Sequence, residues 1–217
     1  MTPQVEKWFE TVRSELSRVG NPLPPEYILT LISRESNGNP GVVNPSRGDS
    51  GLMQVIPESL ETYNNNHRDK YTIDQLRGKT QGSAAIQIRV GLWILSFYLK
   101  KVYKYLKSKL GAVPLDDLIK FTDASYASGW GNVKPKIDGA QSPTWDGVKS
   151  RYPNWGRITP AEKIWDTANN EGASWSLPSI DAWIEGTISD DTKKNIDGAV
   201  VGLLIILIAW AIFGRNK

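Results

Sequence analysis

Ile28-Leu-Thr-Leu-Ile-Ser-Arg-Glu35-Ser-Asn-Gly-Asn-Pro40-Gly-Val-Val-Asn44-Pro-Ser-Arg-Gly-Asp49-Ser-Gly51-Leu-Met-Gln54-Val-Ile-Pro57 is the stretch on which the reading of this chain turns. On a helical spacing, Ile28, Leu31 and Ile32 stand seven, four and three residues before Glu35. All four side chains then share one face. That face is the one to be buried, so a carboxyl group is set among aliphatic neighbours. Burial disfavours the charged form of an acid. An acid held protonated near neutral pH can serve as a proton donor in catalysis. Asn37-Gly38-Asn39-Pro40 ends the helix. A Gly-, Asn-, Pro- and Ser-rich loop follows to Ser50, and then the short apolar run Gly51–Pro57 with the amide of Gln54 inside it.

Absences narrow the chemistry. The chain has no cysteine and one histidine among its 217 residues, which excludes a disulfide framework, a thiol nucleophile and a zinc site built on several histidines. His67 lies in the polar run Asn64–Arg68 and reads as a loop histidine. Proton chemistry is left to carboxylates, Lys or Tyr. No metal or cofactor is indicated. The net charge of +3 is mild and gives no nucleic-acid signature.

Outward from the opening stretch, the periodicity is mainly helical. Trp8, Val12, Leu16 and Val19 trace an amphipathic stripe closed by Gly20-Asn21-Pro22. The mixed charges of residues 1–16 do not form the apolar core of a signal peptide. A short helix is predicted from Pro57 to Tyr63 and another around Ile73–Leu76, within a polar segment that reaches Gly82. Ala84–Lys109 reads as one long helix, with apolar residues three and four apart from Ala85 to Leu106. Its densest part, Val90–Leu99, is too short to span a bilayer and fits a core helix. Pro114–Tyr126 gives a further helix ending at Ser128-Gly129. Beyond Gly131 the chain reads as loop-rich, with Trp145, Trp155, Trp165 and Trp175 at ten-residue intervals but no repeat around them. Packing is the favoured role for these rings. Residues 164–197 read as a loosely structured stalk. Gly198–Gly214 carries no charge, and its seventeen residues reach roughly 25 Å as a helix, near the lower limit for a membrane span. Trp210 and the following Arg215 and Lys217 suit an interface.

Three pieces of the chain carry a family resemblance. Glu35-Ser36 followed by Gly51-Leu52-Met53-Gln54 and Pro57, then Gln87-Ile88-x-x-Gly91, then Tyr126-Ala127-Ser128-Gly129-Trp130-Gly131-Asn132-Val133, stand in order. Together they resemble the lytic transglycosylases of the goose-lysozyme-like superfamily. The chain departs from that pattern with Gln87 and Ala127 where Asn is usual, Ile56 where Met is common, Asn44 near a frequent Ser, and Asp49 where Ala is usual. The resemblance implies a mainly α, lysozyme-like domain over residues 1–160. A Trp-containing stalk at 161–197 and a single C-terminal transmembrane helix at 198–214 complete the expected organisation.

The resemblance further implies a peptidoglycan glycan strand as substrate, cut at the MurNAc-β-1,4-GlcNAc bond to leave a 1,6-anhydro sugar. Glu35 is the implied acid and base. Gln54, Tyr126, Asn44, Ser36 and Met53 are the implied substrate contacts. Asp49 is a candidate second carboxylate that would admit water and make the enzyme a hydrolysing muramidase. A non-catalytic wall-binding virion protein is the other alternative. The expected partners are glycan strands, a lipid membrane and other virion membrane proteins. The expected place is the membrane of a bacteriophage particle, acting at the bacterial wall during genome entry.

Overall fold

The computed structural model describes residues 1–176 and 178–186. It divides into two compact units, Met1–Trp175 and Ser176–Lys217. In the second, residues 178–186 are helical. The expected transmembrane run at 198–214 lies outside the described residues.

The first unit is built from helices. They are α1 (Pro3–Glu6), α2 (Phe9–Arg18), α3 (Pro25–Ser36), α4 (Pro57–Asn66), α5 (Ile73–Arg77), α6 (Gln81–Leu110), α7 (Leu115–Ser128), α8 (Trp130–Gly139), α9 (Trp145–Arg151) and α10 (Ile158–Asn170). Among the described residues the extended pairing is limited to isolated antiparallel bridges, Val43 with Ser50 and Ser50 with Val55.

Helix α6 is the axis of the unit. By length and apolar composition it could cross a membrane. Its apolar stripe, including Ile88, Leu92, Leu95, Leu99 and Leu106, is instead buried within the fold, and the helix packs against α2, α4, α5 and α7. It starts three residues before the sequence reading because Thr80 caps it, accepting a hydrogen bond from the Ser83 N–H. Helix α3 packs between α2 and α10. Pro25 occupies its first turn, and Asn37 closes it in the left-handed conformation at φ 50°.

Beyond Gly131 the structure corrects the loop reading. Helices α8, α9 and α10 occupy most of residues 130–170, and α10 packs on α3 and α7. The boundary expected at residue 160 falls inside α10, and residues expected in the stalk, up to Trp175, belong to the compact unit. The tryptophans pack. Trp145 is 1% exposed and meets Phe121 edge-on at 5.0 Å, and Trp175 lies against Tyr27 and Trp165.

Two close approaches lock the opening stretch onto α6. Gly91 faces Met53, where an added Cβ would stand 2.7 Å from the Met53 Cβ. Gly51 has φ 78°, and a Cβ there would stand 2.5 Å from the Gln87 side-chain carbon. Glycine is needed at both positions, at Gly51 for backbone conformation as well as space.

Candidate active site

A cleft of about 700 Å³ opens at the C-terminal end of α3. Glu35 and Arg34 form its floor together with Asp49 and Arg47 of the loop. Gln54, Val55, Ile56 and Ser59 make one wall, and Ile94 and Tyr98 of α6 another. Tyr126 to Gly129 and Asn132, at the α7–α8 junction, line a third side, with Arg157 and Pro160 from the start of α10.

Helix α3 delivers Glu35 in its last turn. Ile28, Leu31 and Ile32 are fully buried, as the spacing predicts, but the carboxylate is not enclosed among them. Its side chain is 20% exposed and faces the cleft, and its polar partner is the adjacent Arg34. Arg34 donates from Nε and Nη2 to Glu35 Oε1 at 3.0 and 2.6 Å. The guanidinium also donates from Nη1 to Asp123 Oδ2 at 2.6 Å. The wholly apolar setting expected for Glu35 is therefore corrected: the helix ends just as the carboxyl leaves the core, so cleft and guanidinium replace aliphatic walls. Glu35 Oε2 has no hydrogen-bond partner among the described residues and is the oxygen left for a ligand.

Asp123 is 1% exposed, and its Oδ1 has no partner. Burial pushes its carboxyl up to about 6, against the opposing pull of Arg34. Burial alone would lower the Arg34 guanidinium; the charges of Asp123 and Glu35 more than offset that and hold it above its ordinary range. Asp123 thus fixes the group that fixes one oxygen of Glu35. Neither Arg34 nor Asp123 is singled out by the sequence reading. The available signal was a charged residue inside the apolar stretch of α7, since a buried charge needs a partner.

Tyr126 donates its hydroxyl to the Met53 carbonyl at 2.7 Å, joining α7 to the loop. Burial, and next the charge of Glu35, raise the phenol well above its usual value, so it stays a neutral donor. Gln54 lines the cleft in a left-handed conformation at φ 46°. Its Nε2 donates to the carbonyls of Gly51 and Val42 at 2.9 and 3.2 Å. Asp49 is 7% exposed and lines the same cleft as Glu35. Its Oδ1 stands 3.4 Å from Arg47 Nε and makes no hydrogen bond.

Three expected substrate contacts lie elsewhere. Ser36 is 7% exposed, and its hydroxyl faces the backbone carbonyls of Leu52 at 2.9 Å and Ile32 at 3.1 Å. It pins the loop to α3. Met53 is fully buried beneath Gly91 and offers only its carbonyl, which Tyr126 takes. Asn44 is outside the cleft lining; its Oδ1 accepts from the Ser46 N–H and hydroxyl at 3.1 and 2.8 Å, shaping the turn. His67 stacks on Tyr63 with centroids 3.9 Å apart, away from the cleft lining.

An acid at a helix end, a loop braced over a core helix and an open cleft in a helical unit make up the site. The transglycosylase SLT domain family matches residues 17–145, and the chain belongs to that family. A solved structure of an inactive glutamate-to-glutamine mutant of the lytic transglycosylase Slt from Pseudomonas aeruginosa is similar in fold. It has a TM-score of 0.53 and 19% identity, over 73% of this chain and 23% of that one. The present chain therefore spans about a quarter of the length of that relative. No curated protein matches the sequence.

Proposed function

We propose that this protein is a peptidoglycan lytic transglycosylase with Glu35 as its acid and base. The observation that carries the reading is the position of Glu35: a carboxyl with one oxygen held by Arg34 and the other free, facing a cleft of about 700 Å³, in a chain of the SLT family. That the related Slt structure is an inactive glutamate mutant adds support.

The chemistry follows from the two oxygens of Glu35. Oε1 is held by Arg34, and Oε2 faces outward. In the first half, the proton on Oε2 passes to the glycosidic oxygen as the bond from MurNAc C1 breaks, and the GlcNAc leaves with its hydroxyl restored. The N-acetyl carbonyl of MurNAc stabilises the developing cation. In the second half, the Glu35 carboxylate takes the proton of the C6 hydroxyl, whose oxygen closes on C1. Glu35 is again protonated, a 1,6-anhydro ring is formed, and no water is consumed. Arg34 holds the carboxylate in place through the charged interval.

Asp49 favours one second reading. It is a buried carboxylate with an oxygen lacking a hydrogen-bond partner, and it lines the same cleft. There it could hold a water for attack at C1, giving a hydrolysing muramidase. Mass spectrometry of muropeptides released from purified peptidoglycan separates the two readings. Anhydro products support transglycosylation, and products heavier by one water support hydrolysis. Glu35→Gln should lower activity by about 10²- to 10⁴-fold without unfolding the protein; unchanged activity would remove Glu35 from its role.

The uncharged run Gly198–Gly214 supports a membrane anchor. We place the protein in the membrane of a bacteriophage particle, where it would open the host wall during genome entry. Flotation with lipid vesicles tests the anchor, and its recovery with purified, detergent-sensitive particles tests the location.

A further inference from the structure

The proposed reaction leaves one cleft charge unused. Three guanidinium groups line the cleft, those of Arg34, Arg47 and Arg157. Arg34 is spent on Glu35 and Asp123. Arg47 stands beside Asp49. Arg157 makes neither an ion pair nor a hydrogen bond among the described residues, although Asp123 feels its charge. It is partly buried in the cleft wall.

Its position does not serve the helix it precedes. Arg157 is the N-cap of α10 and makes no side-chain cap. A cation at a helix N-terminus opposes the helix dipole. Nor does it belong to the part of the chain that defines the family, which ends at residue 145. What remains is a guanidinium in the cleft lining with no direct partner of its own, which Asp123 feels only through space.

The substrate class in the proposed function has one main source of matching charge. A glycan backbone of N-acetyl sugars is neutral; the carboxylates of peptidoglycan sit on the peptide stems attached to the lactyl ether of MurNAc. We propose that Arg157 binds a carboxylate of the peptide stem, so that the cleft reads the stem as well as the sugars. This rests on the transglycosylase reading. The interaction is an ionic hydrogen bond made before and after bond cleavage alike. It should therefore act on KM and leave kcat nearly unchanged.

The test compares the full-length wild-type protein with Arg157→Gln and Arg157→Lys. The substrates are soluble glycan strands with native stems, strands whose stem carboxylates have been amidated, and strands stripped by an amidase to the bare lactyl carboxylate. For native stems, Arg157→Gln should raise KM by about 10- to 100-fold, the range of a hydrogen bond to a charged group. Arg157→Lys should recover part of that loss. Amidated stems should raise the wild-type KM similarly and abolish the difference between wild type and Arg157→Gln. Equal losses on native and amidated stems, or none on native stems, overturn the proposal. A wild-type protein inactive on all three substrates refutes the transglycosylase reading itself, and this inference with it.

Discussion

Replacing Gln87 should loosen the loop that shapes the cleft. The residue is fully buried in α6. Its Oε1 accepts from the Leu52 N–H at 2.8 Å. Its Nε2 lies within hydrogen-bond distance of three carbonyls, Leu76 at 2.8 Å, Gly78 at 2.9 Å and Pro40 at 3.1 Å, which share its two hydrogens. One side chain therefore ties the Gly51–Pro57 run, the end of α5 and the start of the loop to the core helix. In Gln87→Ala the Leu52 N–H and Leu76 carbonyl lie where water does not reach. Each orphaned group costs about 1–3 kcal/mol. The Pro40 and Gly78 bonds are only partly buried, so water can replace them at little cost. Losing the side-chain methylene adds about 0.8 kcal/mol. The sum centres on about 5 kcal/mol, which for a domain of this size lowers Tm by roughly 10–20 °C. Urea unfolding followed by tryptophan fluorescence measures the loss. A second measurement tests its origin. Gly51→Ala sets a Cβ 2.5 Å from the Gln87 side chain, so its cost should shrink by about 1 kcal/mol in the Gln87→Ala background. A Gln87→Ala loss under about 1 kcal/mol, or additive costs, would refute the view that this amide holds the loop.

Three further outcomes follow from the same geometry. Arg89 makes a two-pronged pair with Glu15 at 2.7 and 2.8 Å, and Glu15 is 6% exposed. Arg89→Met should cost about 3 kcal/mol, because it leaves that carboxylate only the looser Arg18 at 3.7 Å, and Glu15→Gln much less; equal costs in urea titrations would contradict this. Burial pushes the Asp117 carboxyl up to about 6 from 3.8, despite the hydrogen bond it accepts from the Trp145 N–H. The folded state thus holds this proton more tightly than the unfolded one, and the stability it adds is full below about pH 4 and lost as pH rises through 6. Relative to wild type, Asp117→Asn should gain up to about 3 kcal/mol between pH 4 and pH 7, and a pH-independent difference would count against it. Tyr126→Phe should cost about 1 kcal/mol in stability and lower kcat by about 10- to 100-fold through a shifted loop; an unchanged kcat would separate the phenol from the reaction.

The helices with stripes of large aliphatic residues, or with a proline or polar start before a short apolar run as in α4 and α5, were legible in the sequence, and those beyond Gly131 were not. In α3, α6 and α7 the three-and-four spacing is carried by large aliphatic residues, and glycine, asparagine or proline marks the ends. Helix α10 has a stripe too, Ile158, Ala161, Ile164 and Ala168, all buried. Two of its four members are alanine, and Thr, Asn and Asp lie between them, so the composition reads as loop. Helix α8 carries Pro135 inside it, and α9 is only seven residues long. The even spacing of the tryptophans suggested a separate region, whereas Trp145 is held under Phe121 as part of the one core. The Arg34–Glu35 contact was hidden for a geometric reason. Adjacent residues on a helix do not face each other, and these two meet because the helix ends at Ser36 and the guanidinium folds back while reaching for Asp123, 89 residues further on.

The motif residues were found, but their work differs from what their polarity suggested. Ser36 contacts the Leu52 carbonyl, Gln54 those of Gly51 and Val42, Tyr126 that of Met53, and Gln87 both an N–H and three carbonyls. Asn44 closes its own turn. Almost every conspicuous polar side chain in the three motifs is spent on backbone, because the connection between Ser36 and Pro57, with hardly any regular structure, must still satisfy its N–H and C=O groups. The motifs therefore specify the shape of one loop against α3, α6 and α7, and that loop places a wall opposite Glu35. Discrimination among the groups of the proposed substrate then falls to residues outside the motifs, and the guanidinium of Arg157, proposed to bind a stem carboxylate, is the first of these to test.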